Sequence, residues 1–176
     1  FLIFKYNILM LKKYKDFLIS LEKLSKVVYK ELGDGFDEDL YQRGLAFEFR
    51  QANISYLRET NIETFYKNQM LALRELDFLL PKQKNKKFNL TNPVIIECKY
   101  DAKISDRHRS QLRQYLKSIP LNATAELQSI NHGILLNWQK TNVYDETRIA
   151  SSTPIQIELW SYDKKNDMRL MYRNFD

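Results

Sequence analysis

A chain of 176 residues with 44% apolar and 28% charged side chains is long enough for one domain with a real core and too apolar to be disordered. Its 28 Lys and Arg against 22 Asp and Glu leave a net charge of +6, which suits a polyanionic partner but does not establish one. The single cysteine, Cys98, excludes an intrachain disulfide and a cysteine zinc cluster. The two histidines, His108 and His132, are too few for a His-rich site, so any metal would be a hard ion held by carboxylates.

Residues 1–9 read as sequence upstream of a start at Met10. The apolar run there is about ten residues, too short to span a bilayer. Lys12, Lys13 and Lys15 follow it, whereas a secretory signal places its basic residues first, so an intracellular location is expected. The spacing of Phe17, Leu18, Leu21, Leu24, Val27 and Val28 predicts an N-terminal helix within 10–33, which Gly33 and Gly35 end. Asp34 or Asp37 caps a second helix to about residue 51, with Phe36, Leu40, Leu45 and Phe47 on its apolar face. Residues 53–66 and 70–80 predict a strand hairpin turning at Lys67, Asn68 and Gln69. The polar, basic stretch 82–92 reads as a loop. Residues 93–100 form a short central strand, because Val94, Ile95 and Ile96 are continuously apolar. Ser105 or Asp106 caps a third helix to about Ser118, before Pro120. Residues 132–138 predict another buried strand, and 154–173 a terminal hairpin. The expectation is a single α/β domain over 1–176, with a mixed central sheet flanked by helices and an extra C-terminal β-hairpin.

Within the central strand, Glu97 and Lys99 are two residues apart and share a face, while Cys98 points the other way into packing. Asp77 lies in the preceding strand at a buried-looking position. Charges among apolar strand residues are costly unless paired or used. Asp77 and Glu97 could together bind Mg²⁺ or Mn²⁺, with Lys99 orienting or deprotonating a water and stabilising the transition state. A structural ion pair is the plainer reading of the same three residues.

Five features in order resemble the GxxExxY proteins, a branch of the PD-(D/E)XK nuclease-like superfamily. They are Gly35, Glu38 and Tyr41; then Asp77; then Glu97 and Lys99 after the apolar run; then Gln111 and Tyr115; then the strand ending at Asn137. The resemblance covers roughly 20–138 and implies a restriction-endonuclease-like core over 36–138. It implies that Asp77 and Glu97 are metal ligands, joined by the backbone carbonyl of Cys98, and that Lys99 is the catalytic lysine. It also implies that Glu38 approaches the metal from the first core helix and that Gln111 faces the site, with Tyr115 on the same helical face. Tyr41 reads as core. The implied partner is nucleic acid, with DNA preferred over RNA.

Lys82, Lys84, Lys86 and Lys87 lie on the expected rim and are candidate phosphate contacts. Arg107, Arg109 and Arg113 form a candidate second phosphate-binding edge. Trp138 and Trp160 have the ring area to stack on bases but sit in apolar strand patterns, and His108 reads as a surface residue. Two other functions fit the sequence. One is a nucleic-acid-binding module without turnover. The other is a protein-interaction domain, or homodimer, pairing through the edge of the terminal hairpin.

Overall fold

The computed structural model describes residues 2–141, 154–165 and 167–176, with side chains from residue 13 onward. Helices α1 (Leu2–Leu32) and α2 (Glu38–Gln51) lead into the hairpin β1 (Leu57–Tyr66) and β2 (Gln69–Leu80). A short pair, β3 (Gln83–Lys84) and β4 (Asn89–Leu90), precedes β5 (Val94–Asp101). Then come α3 (Asp106–Ser118), a 3-10 turn at Ile119–Leu121, α4 (Ala125–Gln128), β6 (His132–Gln139), β7 (Ile155–Asp163) and β8 (Asp167–Arg173). The six-stranded sheet runs β1-β2-β5-β6-β7-β8. Only β5 and β6 are parallel, joined by the α3 crossover, so the sheet is mixed and flanked by helices, as expected.

Strand alternation divides the core in two. Val94, Ile96 and Cys98 of β5, with Ile134, Leu136 and Trp138 of β6, pack under α1 and α2. Ile95 and Leu135 face the other way, against Leu112, Tyr115 and Leu116 of α3. A strand covered on both faces reads as a continuous apolar run, which is why Val94 to Ile96 carries no alternation. Gly133 lets α3 lie close on β6, since a Cβ there would sit 2.6 Å from Leu112 Cδ1.

Several expectations need correction. α1 begins at Leu2. α2 buries Tyr41, Leu45 and Phe49, while Phe36, Leu40 and Phe47 are exposed. Both rows are apolar, and only the one facing the sheet is used. β1 starts at Leu57, after Asn53 takes a left-handed backbone (φ 53°). The turn tightens to Lys67 and Asn68, with φ 47° and 64°, the geometry of a two-residue hairpin. The stretch 82–92 is no plain loop, because β3 and β4 pair and Phe88 packs edge-on against Phe17, centroids 5.0 Å apart. The 3-10 turn and α4 follow α3 where the sequence pattern predicts no helix. His108 is buried, its Nδ1 accepting the Ser105 N–H (3.2 Å) at the start of α3.

The register of β2 decides where its acid, Asp77, meets the central strand. β2 pairs with β5 only at Phe78, Leu79 and Leu80. Its pairing with β1 runs on to Gln69 but skips the position where Glu59 faces Asp77. Glu59 has φ 56°, outside strand geometry, so the ribbon bends there and leaves β5.

His132 is 3% exposed, packs 4.9 Å from the Tyr14 ring, and has no partner for Nε2 among the described residues. Burial first, and then Lys13, pull its pKa down to about 4. The unfolded chain takes up this proton near pH 6.5 and the fold does not, so stability present above that pH is lost as pH falls toward 4. Between pH 7 and 4.5 the loss from this group is about 2.5 kcal/mol, at about 1.4 per pH unit. Urea unfolding at both pH values should show His132→Gln losing that much less stability than the wild type.

Candidate active site

Where β2 departs, β5 still presents backbone N–H groups on the vacated side, and buried donors need acceptors. The Cys98 N–H donates to Asp77 Oδ2 (2.7 Å). Two residues on, the Tyr100 N–H donates to Glu38 Oε2 (3.2 Å). Two carboxylates, one from β2 and one from the first turn of α2, thus replace the missing ladder bonds.

Glu97 and Lys99 lie on the α3 side of β5. Lys99 Nζ donates to Glu97 Oε1 (2.7 Å) and to Glu38 Oε1 (3.5 Å). Gln111 Nε2 donates to the same Glu97 oxygen (2.6 Å) and to the Tyr115 hydroxyl (2.9 Å). Glu38, Lys99, Glu97, Gln111 and Tyr115 therefore form one connected group, and Asp77 lies beside it through the Cys98 N–H. Two carboxylates, Glu97 and Glu38, hold one ammonium, and the Asp77 charge acts on it from farther off. Burial first, and then the neighbouring acids, push the Asp77 and Glu97 carboxyls above the usual range. Burial pulls the Lys99 ammonium down, but Glu97, Glu38 and Asp77 outweigh it and raise it above its ordinary value. The Cys98 side chain is fully buried on the opposite face, and that burial raises its thiol.

Gly35, Glu38 and Tyr41 converge on one residue that sequence reading missed, Tyr100. Its hydroxyl donates to Asp34 and accepts the Gly35 N–H (2.6 Å), Glu38 holds its backbone N–H, and Tyr41 stacks on its ring at 4.5 Å. Asp34 also accepts from the Thr141 N–H (2.9 Å) and hydroxyl (2.6 Å), anchoring the α1–α2 connection to the end of β6. Gln42 was missed too, although it lies one turn beyond Glu38 on the same helical face, a spacing visible in the sequence.

Other candidates are not brought to this group. Arg109 forks onto fully buried Glu158 (3.0 and 2.7 Å) and reaches Asp106 (2.8 Å). Arg113 is paired side-on with Asp167 (2.8 and 2.5 Å). Arg107 is exposed, one turn before Gln111 on the same face. Lys82, Lys84, Lys86 and Lys87 are exposed but join β2 to the start of β5, the strand end opposite Lys99. Trp138 is buried and donates to the Ser25 carbonyl (3.1 Å), and Trp160 donates to Glu158 (2.8 Å), so both serve the fold.

Among the described residues, no three His, Cys, Asp or Glu side chains gather closely enough to hold a metal by themselves. Asp77 meets β5 at the Cys98 N–H, and the Cys98 carbonyl lies on that same strand edge. Among the described residues, no helix is long and apolar enough to cross a membrane.

A family model described as the PD-(D/E)XK nuclease superfamily matches residues 15–149. No curated protein and no solved structure matches the chain.

Burying like charges costs stability, so neutralising one without changing its shape should stabilise the fold. In the presence of a chelator, Asp77→Asn, which still accepts the Cys98 N–H, should raise unfolding stability by about 1 kcal/mol in urea titrations. A loss of stability would show that the site is a structural ion network.

Proposed function

The chain belongs to the PD-(D/E)XK nuclease superfamily, and from that premise we propose that it is a metal-dependent nuclease hydrolysing phosphodiester bonds of nucleic acid, with DNA the preferred substrate. The observation that carries this reading is the meeting of Asp77, Glu97, Lys99 and Glu38 where β2 leaves β5. Within the superfamily we place it in the GxxExxY branch, supported by the convergence of Gly35, Glu38 and Tyr41 on Tyr100.

The donors suit a hard divalent ion. Asp77 and Glu97 are desolvated carboxylates that repel each other, and Mg²⁺ is commonly held by one or two carboxylates with waters filling its shell. Asp77, Glu97 and the Cys98 carbonyl would hold Mg²⁺ or Mn²⁺, which lowers the pKa of water and neutralises charge building on the phosphate. Lys99, held as an ammonium by its acids, orients the attacking water and supports the developing charge. Glu38 holds Lys99 from the second side, and Gln111 fixes the Glu97 carboxylate. Arg107 is the arginine of α3 best placed for a nearby phosphate. The lysines at 82–87 would reach only distant phosphates, because the five strand steps from Val94 to Lys99 span about 16 Å.

One observation favours a second reading, a nucleic-acid-binding module without turnover. Glu97 Oε1 is already held by both Lys99 and Gln111, and among the described residues no three acids gather closely enough to hold a metal. A protein-interaction role, or a second copy, would instead use the outer edge of β8.

The deciding assay is Mg²⁺- and Mn²⁺-dependent cleavage of single-stranded, duplex and branched DNA, and of RNA. Lys99→Ala should slow cleavage by about 10²-fold or more, and Asp77→Ala should abolish it. Tight nucleic-acid binding with no cleavage of any substrate would establish the binding module instead.

A further inference from the structure

Gln42 and Arg58 lie beside the acids, and the proposed chemistry uses neither. Gln42 is 8% exposed, on α2 one turn after Glu38. Its Nε2 donates to Glu38 Oε1 (3.4 Å), and its side chain lies beside the Asp77 carboxylate. Its Oε1 accepts from Arg58 Nη2 (3.4 Å). Arg58 is on β1 opposite Phe78, next to the bend at Glu59, and its guanidinium lies 5.7 Å over the Phe78 ring. Asp39 (3.2 Å) and Glu59 (3.3 Å) hold the same Nη2.

An ionised carboxylate can only accept, so the side-chain amide must turn its nitrogen toward Glu38 and Asp77. An arginine can only donate, so Arg58 on the other side holds the amide oxygen and selects that orientation. Gln111 does the corresponding task for Glu97 from α3.

Resting on the nuclease reading, we infer that Gln42 and Arg58 are a positioning pair that sets the Asp77 carboxylate toward the metal and keeps Glu38 on Lys99. Gln42 faces both acids, and Arg58 sets the direction of its amide. Neither touches the substrate. Groups that orient metal-binding side chains typically change metal affinity or activity by about 10–100-fold when removed.

The test compares wild type, Gln42→Met and Arg58→Lys in Mn²⁺ titration without nucleic acid and in DNA cleavage kinetics, with thermal melts confirming the fold. Methionine keeps the length of glutamine without its donor, and lysine keeps the charge of Arg58 without its fork. The expected result is Mn²⁺ binding at least about 10-fold weaker in Gln42→Met, with kcat lowered and KM for DNA unchanged. Arg58→Lys should show a smaller change in the same direction. Wild-type Mn²⁺ affinity in folded Gln42→Met overturns the inference alone. A wild-type chain that binds no Mn²⁺ overturns the nuclease reading and this inference with it. A chain that binds Mn²⁺ but cuts nothing overturns only the nuclease reading if Gln42→Met still weakens binding.

Discussion

The parting of β2 from β5 at Asp77 is the constraint on which the site depends. A sheet interior cannot leave backbone N–H groups unpaired, yet β5 continues for several residues after β2 has turned away. The Cys98 and Tyr100 N–H groups are satisfied by acids instead of by a strand. Two carboxylates are thereby fixed on one strand edge, beside the side chains of Glu97 and Lys99. The left-handed backbone at Glu59 is the local distortion that lets the hairpin bend at this point.

The helices complete the arrangement from both faces. α2 delivers Glu38 and Gln42 from its first turns, and its starting position is held by contacts to Tyr100 and by the bonds of Asp34 to Thr141. α3 delivers Gln111 and Tyr115, brought near by the absence of a side chain at Gly133. Each helix contributes a glutamine whose amide donates to a site carboxylate. The group is therefore ordered by hydrogen bonds before any ligand enters, which is what catalysis by fixed charges requires.

This order opposes stability. Two acids share one lysine and a third lies close by, in a place where burial already disfavours charge. Such a group is costly as a structural device, since well-packed apolar residues of the same size commonly do as well or better. Its retention in a domain with two good apolar cores is more readily understood if the negative charge is used. A polyanion cannot approach three carboxylates unaided, so a cation at the site and a net basic protein belong to the same reading.

Local periodicity carried much of this. Strand alternation set Glu97 and Lys99 on one face and Cys98 on the other, and helical spacing joined Gln111 to Tyr115. The central strand, the α3 boundaries and the terminal hairpin were legible because each rests on neighbours in sequence. Non-local packing decided the rest. Periodicity could not choose between the two apolar rows of α2, because only the sheet distinguishes Tyr41, Leu45 and Phe49 from Leu40 and Phe47. Nor could composition say which basic residues are spent, since Glu158 and Asp167, the partners of Arg109 and Arg113, come from strands far along the chain. The lysines at 82–87 follow Asp77 closely in sequence but sit at the opposite end of β5, because antiparallel pairing carries the chain away before it returns. The sequence by itself determined which residues share a face; only the tertiary structure decided where the ladder stops and which acids must take its place, because that depends on strands meeting across the sheet.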